Sequence, residues 1–241
     1  TFENPFLQSV YQPGKVSHSW RNDKMKTYSL KLPGGDGNKR QRNKRMGRIF
    51  YIMGKSSSGK DTIYSRLLRD KEFGLKNVLL YTTRPVRQGE ADGREYHFVD
   101  EERFRQFMDE GKVIEYRTYE TVHGPWTYFT ADDGQVDLKA RSYLAIGTLE
   151  SYENMKRYFG EENVCPIYVE VEDGERLKRA LAREELQEKP RYAEMCRRFL
   201  ADTEDFSEEN LERAGIKRRF QNVELESCME EIREYIRSRS V

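Results

Sequence analysis

Cysteine and histidine are scarce in this 241-residue chain, which contains three of each. The cysteines Cys165, Cys196 and Cys228 are widely spaced and form no Cys-x-x-Cys pair. Because a zinc site or a disulfide framework needs such residues in clusters, the sequence predicts neither. A sparse, odd-numbered set of this kind indicates reduced thiols, and we therefore expect a cytoplasmic protein.

Long apolar runs are also lacking. Hydrophobic residues make up 36% of the chain and charged residues 35%. No window approaches the roughly 18 consecutive apolar residues that a membrane-spanning helix requires. The sequence therefore predicts no membrane partner, and it makes no prediction about the oligomeric state.

A charge excess of one sign is absent overall, because the formal net charge is +1, but it is present locally. Residues 1–45 contain ten Lys and Arg against three Asp and Glu, whereas residues 46–241 contain 33 against 39. The first 45 residues show no sustained helical or strand period, so we expect a basic, disordered extension there. Its basic run at Lys39–Arg45 is alternatively an anion or RNA contact. The acidic remainder argues against nucleic-acid binding by the folded part.

From Met46 onward, strand-like and helix-like runs alternate, which is typical of an α/β fold with a mainly parallel sheet. The apolar run Arg48–Met53 predicts the first strand, and the period of Asp61–Asp70 predicts the first helix. Further strands are predicted at Asn77–Tyr81, Glu95–Val99, Lys112–Tyr119, Trp126–Thr130, Tyr143–Ile146, Val164–Val171 and near Phe220. Further helices are predicted from Asp100, over Leu149–Phe159, on both sides of a polar hinge at Gln187–Pro190, and over Glu224–Arg237.

The first predicted strand runs directly into a Gly-x-x-x-x-Gly-Lys loop, and a helix follows the loop. The loop and the start of the helix comprise Gly54, Lys55, Ser56, Ser57, Ser58, Gly59, Lys60, Asp61 and Thr62. Glycines let backbone N–H groups converge on an anion, the helix dipole adds positive potential, and Lys60 reaches terminal phosphates. The pattern therefore predicts a phosphate-binding loop.

A second arginine-rich segment begins about 20 residues after this loop. It reads Thr82-Thr83-Arg84-Pro85-Val86-Arg87-Gln88-Gly89-Glu90 and continues to Tyr96-His97-Phe98. Arg84 and Arg87 supply planar forks suited to phosphate oxygens, and Tyr96 supplies a hydroxyl donor. Together with the phosphate loop, this segment closely resembles the guanylate kinase family. The resemblance extends, with declining density, from Met46 to the C-terminal helix.

The resemblance implies a three-layer P-loop NTPase fold with a central, mainly parallel sheet. Within residues 46–241 it implies an inserted monophosphate-binding subdomain at about 81–135 and a helical lid at about 183–192. The implied reaction is phosphoryl transfer from ATP to GMP, with Mg²⁺ as cofactor and small nucleotides as the partners.

The resemblance also implies roles for individual residues. The implied catalytic residues are Lys60, Arg84, Arg183 and Arg198. The implied ATP contacts are the loop residues 54–62 and Asn222, and the implied GMP contacts are Arg84, Arg87, Tyr96, Glu115, Tyr128 and Thr130. Glu115 also has a chemical reason, because one carboxylate accepts the N1–H and N2–H₂ donors of guanine together. Adenine offers no such pair and would leave the carboxylate unpaired.

Several positions depart from the family pattern. Asp61 replaces the Ser or Thr that ligates Mg²⁺, and its carboxylate is itself a suitable Mg²⁺ ligand. Leu80 replaces a serine that helps to read the base, and Ala145 and Gly147 replace two aspartates. We hypothesise that Asp61 has taken over the work of the lost carboxylates. Two alternatives remain open: a phosphotransferase with another acceptor, or an inactive guanylate-kinase-like binding module.

Overall fold

The computed structural model describes residues 46–121 and 124–240. The predicted basic extension at residues 1–45 and the turn residue His123 lie outside the described residues. No helix in the described part of the chain is both long enough and apolar enough to span a membrane.

The described residues form nine strands and seven helices. The strands are β1 (Ile49–Met53), β2 (Lys76–Asn77), β3 (Tyr81–Thr82), β4 (His97–Phe98), β5 (Val113–Thr121), β6 (Gly124–Ala131), β7 (Tyr143–Ile146), β8 (Val164–Glu170) and β9 (Arg219–Gln221). The helices are α1 (Lys60–Arg69), α2 (Glu101–Asp109), α3 (Leu149–Phe159), α4 (Asp173–Glu185), α5 (Tyr192–Asp205), α6 (Glu208–Ala214) and α7 (Leu225–Arg239).

Five parallel strands form the central sheet in the order β2-β7-β1-β8-β9. Strand β1 is fully buried because its alternating side chains enter two different cores. Ile49, Tyr51 and Met53 pack towards α3 and α6, whereas Phe50 and Ile52 pack towards α1 and α7. Helices therefore cover both faces of the sheet, and the predicted three-layer fold with a mainly parallel sheet is confirmed.

A second sheet of four strands, in the order β4-β3-β6-β5, is formed within residues 81–131. Strands β5 and β6 are an antiparallel pair, and β3 joins β6 antiparallel and β4 parallel. Its small core contains Tyr81 and Phe129, whose rings stack with centroids 5.0 Å apart, and Phe107 of α2. This sheet coincides with the region predicted to hold the monophosphate.

The single strand predicted at Asn77–Tyr81 is wrong. The chain leaves the central sheet after Asn77 and enters the second sheet at Tyr81. Gln135 bridges the break, because its Oε1 accepts from the Leu79 N–H at 2.7 Å and its Nε2 donates to the Leu79 carbonyl at 3.1 Å. An apolar run can change sheets here because a side chain satisfies the backbone groups that leave the ladder.

Helix α6 was not predicted from the sequence. Ser207 caps its N-terminus by accepting the Asn210 N–H, and Gly215 ends it in the left-handed conformation at φ 78°. Leu211 and Ala214 bury its inner face. The two capping residues were a usable signal, but the helix is too short to show a clear period. By contrast, α3 spans the predicted Leu149–Phe159 and ends at Gly160 as expected.

Candidate active site

The phosphate loop connects β1 to α1 and is tightly packed. A Cβ at Gly54 would overlap the carbonyl of Val169, and a Cβ at Gly59 would overlap the side-chain amide of Asn222. Gly59 also has a φ of 86°, which disfavours other residues. Asn222 is buried and donates from Nδ2 to the Ser58 carbonyl at 2.7 Å. The two glycines are therefore required by space as well as by backbone conformation.

Two hydroxyls in this loop have no hydrogen-bond partner. In the described part of the chain, only three buried side-chain nitrogen or oxygen atoms lack a hydrogen-bond partner, and Ser57 Oγ and Ser58 Oγ are two of them. Ser57 also adopts a left-handed φ of 64°, which is uncommon for a residue with a side chain. Buried polar atoms are nearly always paired, so unpaired hydroxyls at a loop of this shape fit an incoming phosphate group.

One cavity of about 800 Å³ lies in front of the loop. The phosphate loop and α1 contribute Gly54, Ser56, Lys60 and Asp61 to its wall, the second sheet and the segment before it contribute Tyr96, Glu115, Arg117, Tyr119 and Tyr128, and α5 contributes Arg197 and Arg198. Sequence motifs about 140 residues apart thus meet at one space. Of the predicted site residues, the structure brings together the phosphate loop, part of the GMP set and one lid arginine.

Glu115 is a buried carboxylate on the wall of this cavity, 7% exposed. It lies opposite Thr130 in the β5–β6 register, and the Thr130 hydroxyl donates to Oε1 at 2.7 Å. Burial raises the pKa of Tyr51, and the charge of Glu115 raises it further. Because its hydroxyl bonds the carboxylate, Thr130 orients Glu115, although Thr130 itself does not border the cavity.

Arg84 is buried behind the cavity wall and is held by Glu90. Its two terminal nitrogens donate to the Glu90 carboxylate at 2.7 and 2.6 Å, and its guanidinium lies 5.2 Å from the ring centroid of Tyr96. Burial opposes the charge of Arg84, but the bonds to Glu90 outweigh it and raise the pKa of Arg84. Arg84 also forms a hydrogen bond with the Tyr128 hydroxyl. Arg84 therefore contacts Tyr96 and Tyr128, which both line the cavity.

Arg87 does not border the cavity, although its backbone N–H donates to Glu90 Oε2 at 2.9 Å. Glu90 was not among the predicted site residues, yet it organises both arginines of the motif. Its position three residues after Arg87 was the available signal, because an acid at that spacing can close a turn.

Burial raises the pKa of Tyr96 to about 12, so its hydroxyl stays protonated at neutral pH and can donate to a phosphate.

The two predicted lid arginines differ in position. Arg198 lies on the cavity wall with its neighbour Arg197, and Glu194 accepts from each at 2.8 Å. Burial would raise the pKa of Glu194, but the two guanidinium groups outweigh it and lower that pKa. Arg183 is exposed on α4 and does not border the cavity, so its catalytic role stays a prediction that depends on lid movement.

Arg117 and Tyr119 were missed by sequence reasoning although both line the cavity. They follow Glu115 at intervals of two residues, which places all three on one face of β5. Strand alternation was therefore a usable signal. Arg117 donates to the exposed Glu150 of α3 at 2.6 Å, so this carboxylate holds the guanidinium of Arg117.

Asp61 lies on the cavity wall with its Oδ2 3.9 Å from the Lys60 Nζ. The described residues contain no group of three or more metal-ligating side chains. Mg²⁺ is commonly bound by one or two carboxylates together with substrate phosphates, so a single aspartate beside the loop fits that ion.

The position of the second lost aspartate, Gly147, is filled by another residue. A Cβ at Gly147 would overlap the hydroxyl of Tyr51, which bonds Ser151. Ala145, where the first aspartate is lost, is buried in the core. An aspartate at 147 would therefore require Tyr51 to change as well.

Comparison with known proteins finds similarity to the same family that the motifs resemble. Residues 46–126 match the family model described as Guanylate kinase. The predicted resemblance is confirmed. Guanylate kinase from Neisseria gonorrhoeae is 40% identical over 102 residues, which are 42% of this chain and 47% of that protein. Guanylate kinase from Aromatoleum aromaticum is 46% identical over 79 residues, 32% of this chain and 36% of that protein.

The crystal structure of guanylate kinase from Anaplasma phagocytophilum superposes with a TM-score of 0.55 at 21% identity. The superposition covers 82% of this chain and 88% of that one. The fold is that of the guanylate kinases. In the sequence comparisons, this chain spans about half the length of the curated guanylate kinases it matches first.

Proposed function

We propose that this protein is an ATP-dependent nucleoside monophosphate kinase that converts GMP and ATP to GDP and ADP. The observation that carries the proposal is the shared cavity. It is lined on one side by phosphate-loop residues, among them Gly54, Ser56 and Lys60. On the other side it is lined by a buried carboxylate, Glu115, and by Tyr96 and Tyr128. A polyphosphate and a mononucleotide can therefore occupy one cavity together.

In this proposal the loop holds the polyphosphate of ATP, and Lys60 neutralises its terminal groups. Glu115 accepts from the guanine edge, while Tyr96 and Tyr128, oriented by Arg84, bind the phosphate of GMP. An oxygen of the GMP phosphate attacks the γ-phosphorus in line, and ADP leaves. No protein nucleophile is required, because positioning and charge neutralisation supply the catalysis.

Mg²⁺, held by Asp61 and the phosphates, would neutralise developing charge during the transfer. Arg198 is already on the cavity wall, and Arg197 lies beside it. We propose that Arg183 joins them when the segment between α4 and α5 closes over the nucleotides, which would also exclude water. Thr62, Lys55 and Asn222 remain proposed ATP contacts, and Arg87 and Thr130 remain proposed parts of the GMP site.

Residues 46–241 would form the catalytic unit, with small nucleotides as partners and with neither nucleic acid nor a membrane. The net negative charge of this part supports the first exclusion. We propose a cytoplasmic location, in keeping with three unpaired cysteines, of which Cys165 and Cys228 are buried.

A coupled assay of ADP release with ATP and Mg²⁺ tests the proposal directly. GMP, AMP, UMP and IMP are compared as acceptors at equal concentration. We expect turnover with GMP, a much lower rate with AMP, and a kcat about 10³-fold lower in Lys60→Met. Equal rates with all four acceptors would contradict the role of Glu115.

Two alternative functions rest on specific features of the cavity. Leu80 lines it where a base-reading serine is expected, which favours another acceptor. Tyr51 fills the space next to Gly147, so a carboxylate is lost there, which favours a binding module without turnover. The same assay separates them: the first gives turnover with a different monophosphate, and the second gives none while calorimetry still detects bound GMP.

A further inference from the structure

A buried arginine ties the phosphate loop to the segment before the lid. Arg176 of α4 is 1% exposed and donates to the Ser56 carbonyl at 3.0 Å. Its remaining donors bond Asp173 Oδ1 at 3.0 and 2.8 Å, and Lys55 Nζ lies 3.2 Å from the same oxygen. Burial would raise the pKa of Asp173, but these two cations outweigh it and lower that pKa. Asp173 thus holds the guanidinium of Arg176 in place, and Arg176 binds the loop through the Ser56 carbonyl.

The backbone N–H of the same loop residue, Ser56, is bound by a carboxylate. The Ser56 N–H donates to Asp202 Oδ2 at 2.7 Å, and Arg176 Nη1 lies 3.6 Å from that oxygen. Asp202 belongs to α5, is 17% exposed, and borders the cavity beside Ser56. An acidic side chain on a phosphate-loop N–H is a charge-assisted bond of the kind that a phosphate oxygen would otherwise make.

We propose that Asp202 is an internal competitor of the nucleotide: its carboxylate binds a phosphate-loop amide that the polyphosphate of ATP also needs. A phosphate oxygen and a carboxylate at one N–H repel each other, so binding of the polyphosphate displaces Asp202. This inference rests on the proposed function only as far as ATP is the ligand of the loop.

The displacement has a consequence for the lid because Asp202 and the cavity arginines share α5. Arg198 lies one turn before Asp202, and Glu194 holds Arg198 and Arg197 one turn earlier. Releasing the Ser56–Asp202 bond frees this helix from the loop at the moment when ATP binds. Asp202 thereby couples occupation of the loop to movement of the guanidinium groups. Arg176 remains on the Ser56 carbonyl through Asp173 and keeps the loop in shape.

Calorimetry on the full chain tests the competition, with ATP as the probe and no acceptor. Asp202→Asn keeps the size of the side chain and removes its charge, and Asp202→Ala removes the bond entirely. Both are expected to lower the Kd for ATP about tenfold. Asp205→Asn is the matched control, because Asp205 lines the same cavity one turn later and is not the acceptor of the Ser56 N–H. It is expected to change the Kd clearly less.

Hydrogen–deuterium exchange of residues 192–205 provides a readout of helix release. In the unaltered protein, ATP is expected to increase exchange in this helix, whereas in Asp202→Ala, which lacks the bond to Ser56, the exchange is already raised before ATP is added. A thermal unfolding curve for each variant confirms that it is folded. Unchanged exchange in α5 on adding ATP would overturn the coupling.

The binding is measured both with EDTA and with Mg²⁺, which separates the possible roles of the carboxylate. Weaker ATP binding by both Asp202 variants in EDTA would mean that Asp202 shapes the loop for the nucleotide, and it would overturn competition. Weaker binding only with Mg²⁺ would make Asp202 a cation ligand and would also overturn it. If the unaltered protein bound no ATP under either condition, the proposed function would fail and the inference with it.

Discussion

The phosphate loop and the four-stranded sheet face each other across one cavity, but they supply binding groups of different kinds. The loop offers backbone N–H groups and two hydroxyls within nine consecutive residues, fixed by glycines at 54 and 59. The sheet offers side chains from several strands, such as Glu115 on β5 and Tyr128 on β6, and some of its charges are held by neighbours. A backbone site tolerates little change, whereas a side-chain site can be rebuilt by compensating substitutions.

The largest effect is expected in the loop. Lys60→Met should lower kcat with ATP and GMP by about 10³-fold, because a buried cation that meets transition-state charge has no substitute. Steady-state assays measure the loss. Lys55→Met is the matched control, since Lys55 pairs with Asp173, and it should lose much less activity. If Lys60→Met kept more than a tenth of the activity, the loop would not be the phosphate site.

In the sheet, the largest effect is expected on stability. Glu90→Gln would leave the buried Arg84 without its partner and should lower the free energy of unfolding by about 3 kcal/mol. Urea unfolding followed by circular dichroism measures it. Glu110→Gln, which alters an exposed pair with Lys112, should change little. An equal effect in both variants would show that the buried Arg84–Glu90 pair contributes no more to stability than the exposed pair.

The same pair predicts a dependence on pH. The bonds from Arg84 lower the pKa of Glu90 below its ordinary value, so Glu90 contributes stability that is fully present above the unfolded pKa of about 4.3. That contribution is lost as the pH falls through the lower folded pKa. In Glu90→Gln, the free energy of unfolding should fall less steeply between pH 5 and the acid range, about pH 3. Parallel curves for the two proteins would contradict this assignment.

An intermediate effect is expected where the two regions meet, at Asp61. Asp61→Ser should lower kcat by about 100-fold if its carboxylate replaces the lost aspartates. Because Tyr51 fills the space at 147, rescue requires Tyr51→Phe and Gly147→Asp together. The combined variant should regain activity, while Asp61→Ser with Gly147→Asp alone should not. Full activity of Asp61→Ser would refute the exchange of roles.

The smallest effect is expected on base selectivity. Glu115→Gln should reduce the preference for GMP over AMP in kcat/KM by about tenfold, because an amide cannot accept both guanine donors. Thr130→Val removes the hydroxyl that orients Glu115 and should reduce the preference for GMP over AMP by a smaller factor. The ratio of the two kcat/KM values is the measurement. An unchanged ratio in Glu115→Gln would place the base elsewhere.

Local chemistry explains which features were predictable. The loop was readable because its glycines, lysine and flanking strand and helix are contiguous in the chain. Glu115 was identified from the resemblance to the family, supported by the paired donors of guanine, and α3 was identified from a clear period closed by Gly160. Each of these depends on neighbours within a few residues or on a dense motif, and none needs knowledge of how distant elements pack.

The remaining features depend on packing between distant elements. Tyr51 fills the position of a lost aspartate only because β1 pairs with β7, which no local pattern reveals. Arg183 and Arg198 were both predicted as lid arginines, but the packing of α4 against α5 leaves the first exposed and puts the second on the cavity wall. The Arg176–Asp202 contact with Ser56 joins three segments and was not predicted.

The central claim is that two nucleotides bind one cavity side by side. A bisubstrate compound, in which adenosine and guanosine are joined through a five-phosphate bridge, tests it by calorimetry against ATP alone and GMP alone. The account predicts one molecule bound per chain, with a Kd at least about 100-fold below that of ATP, and loss of this gain in Glu115→Gln. A compound that binds no more tightly than ATP would contradict a shared cavity for both substrates.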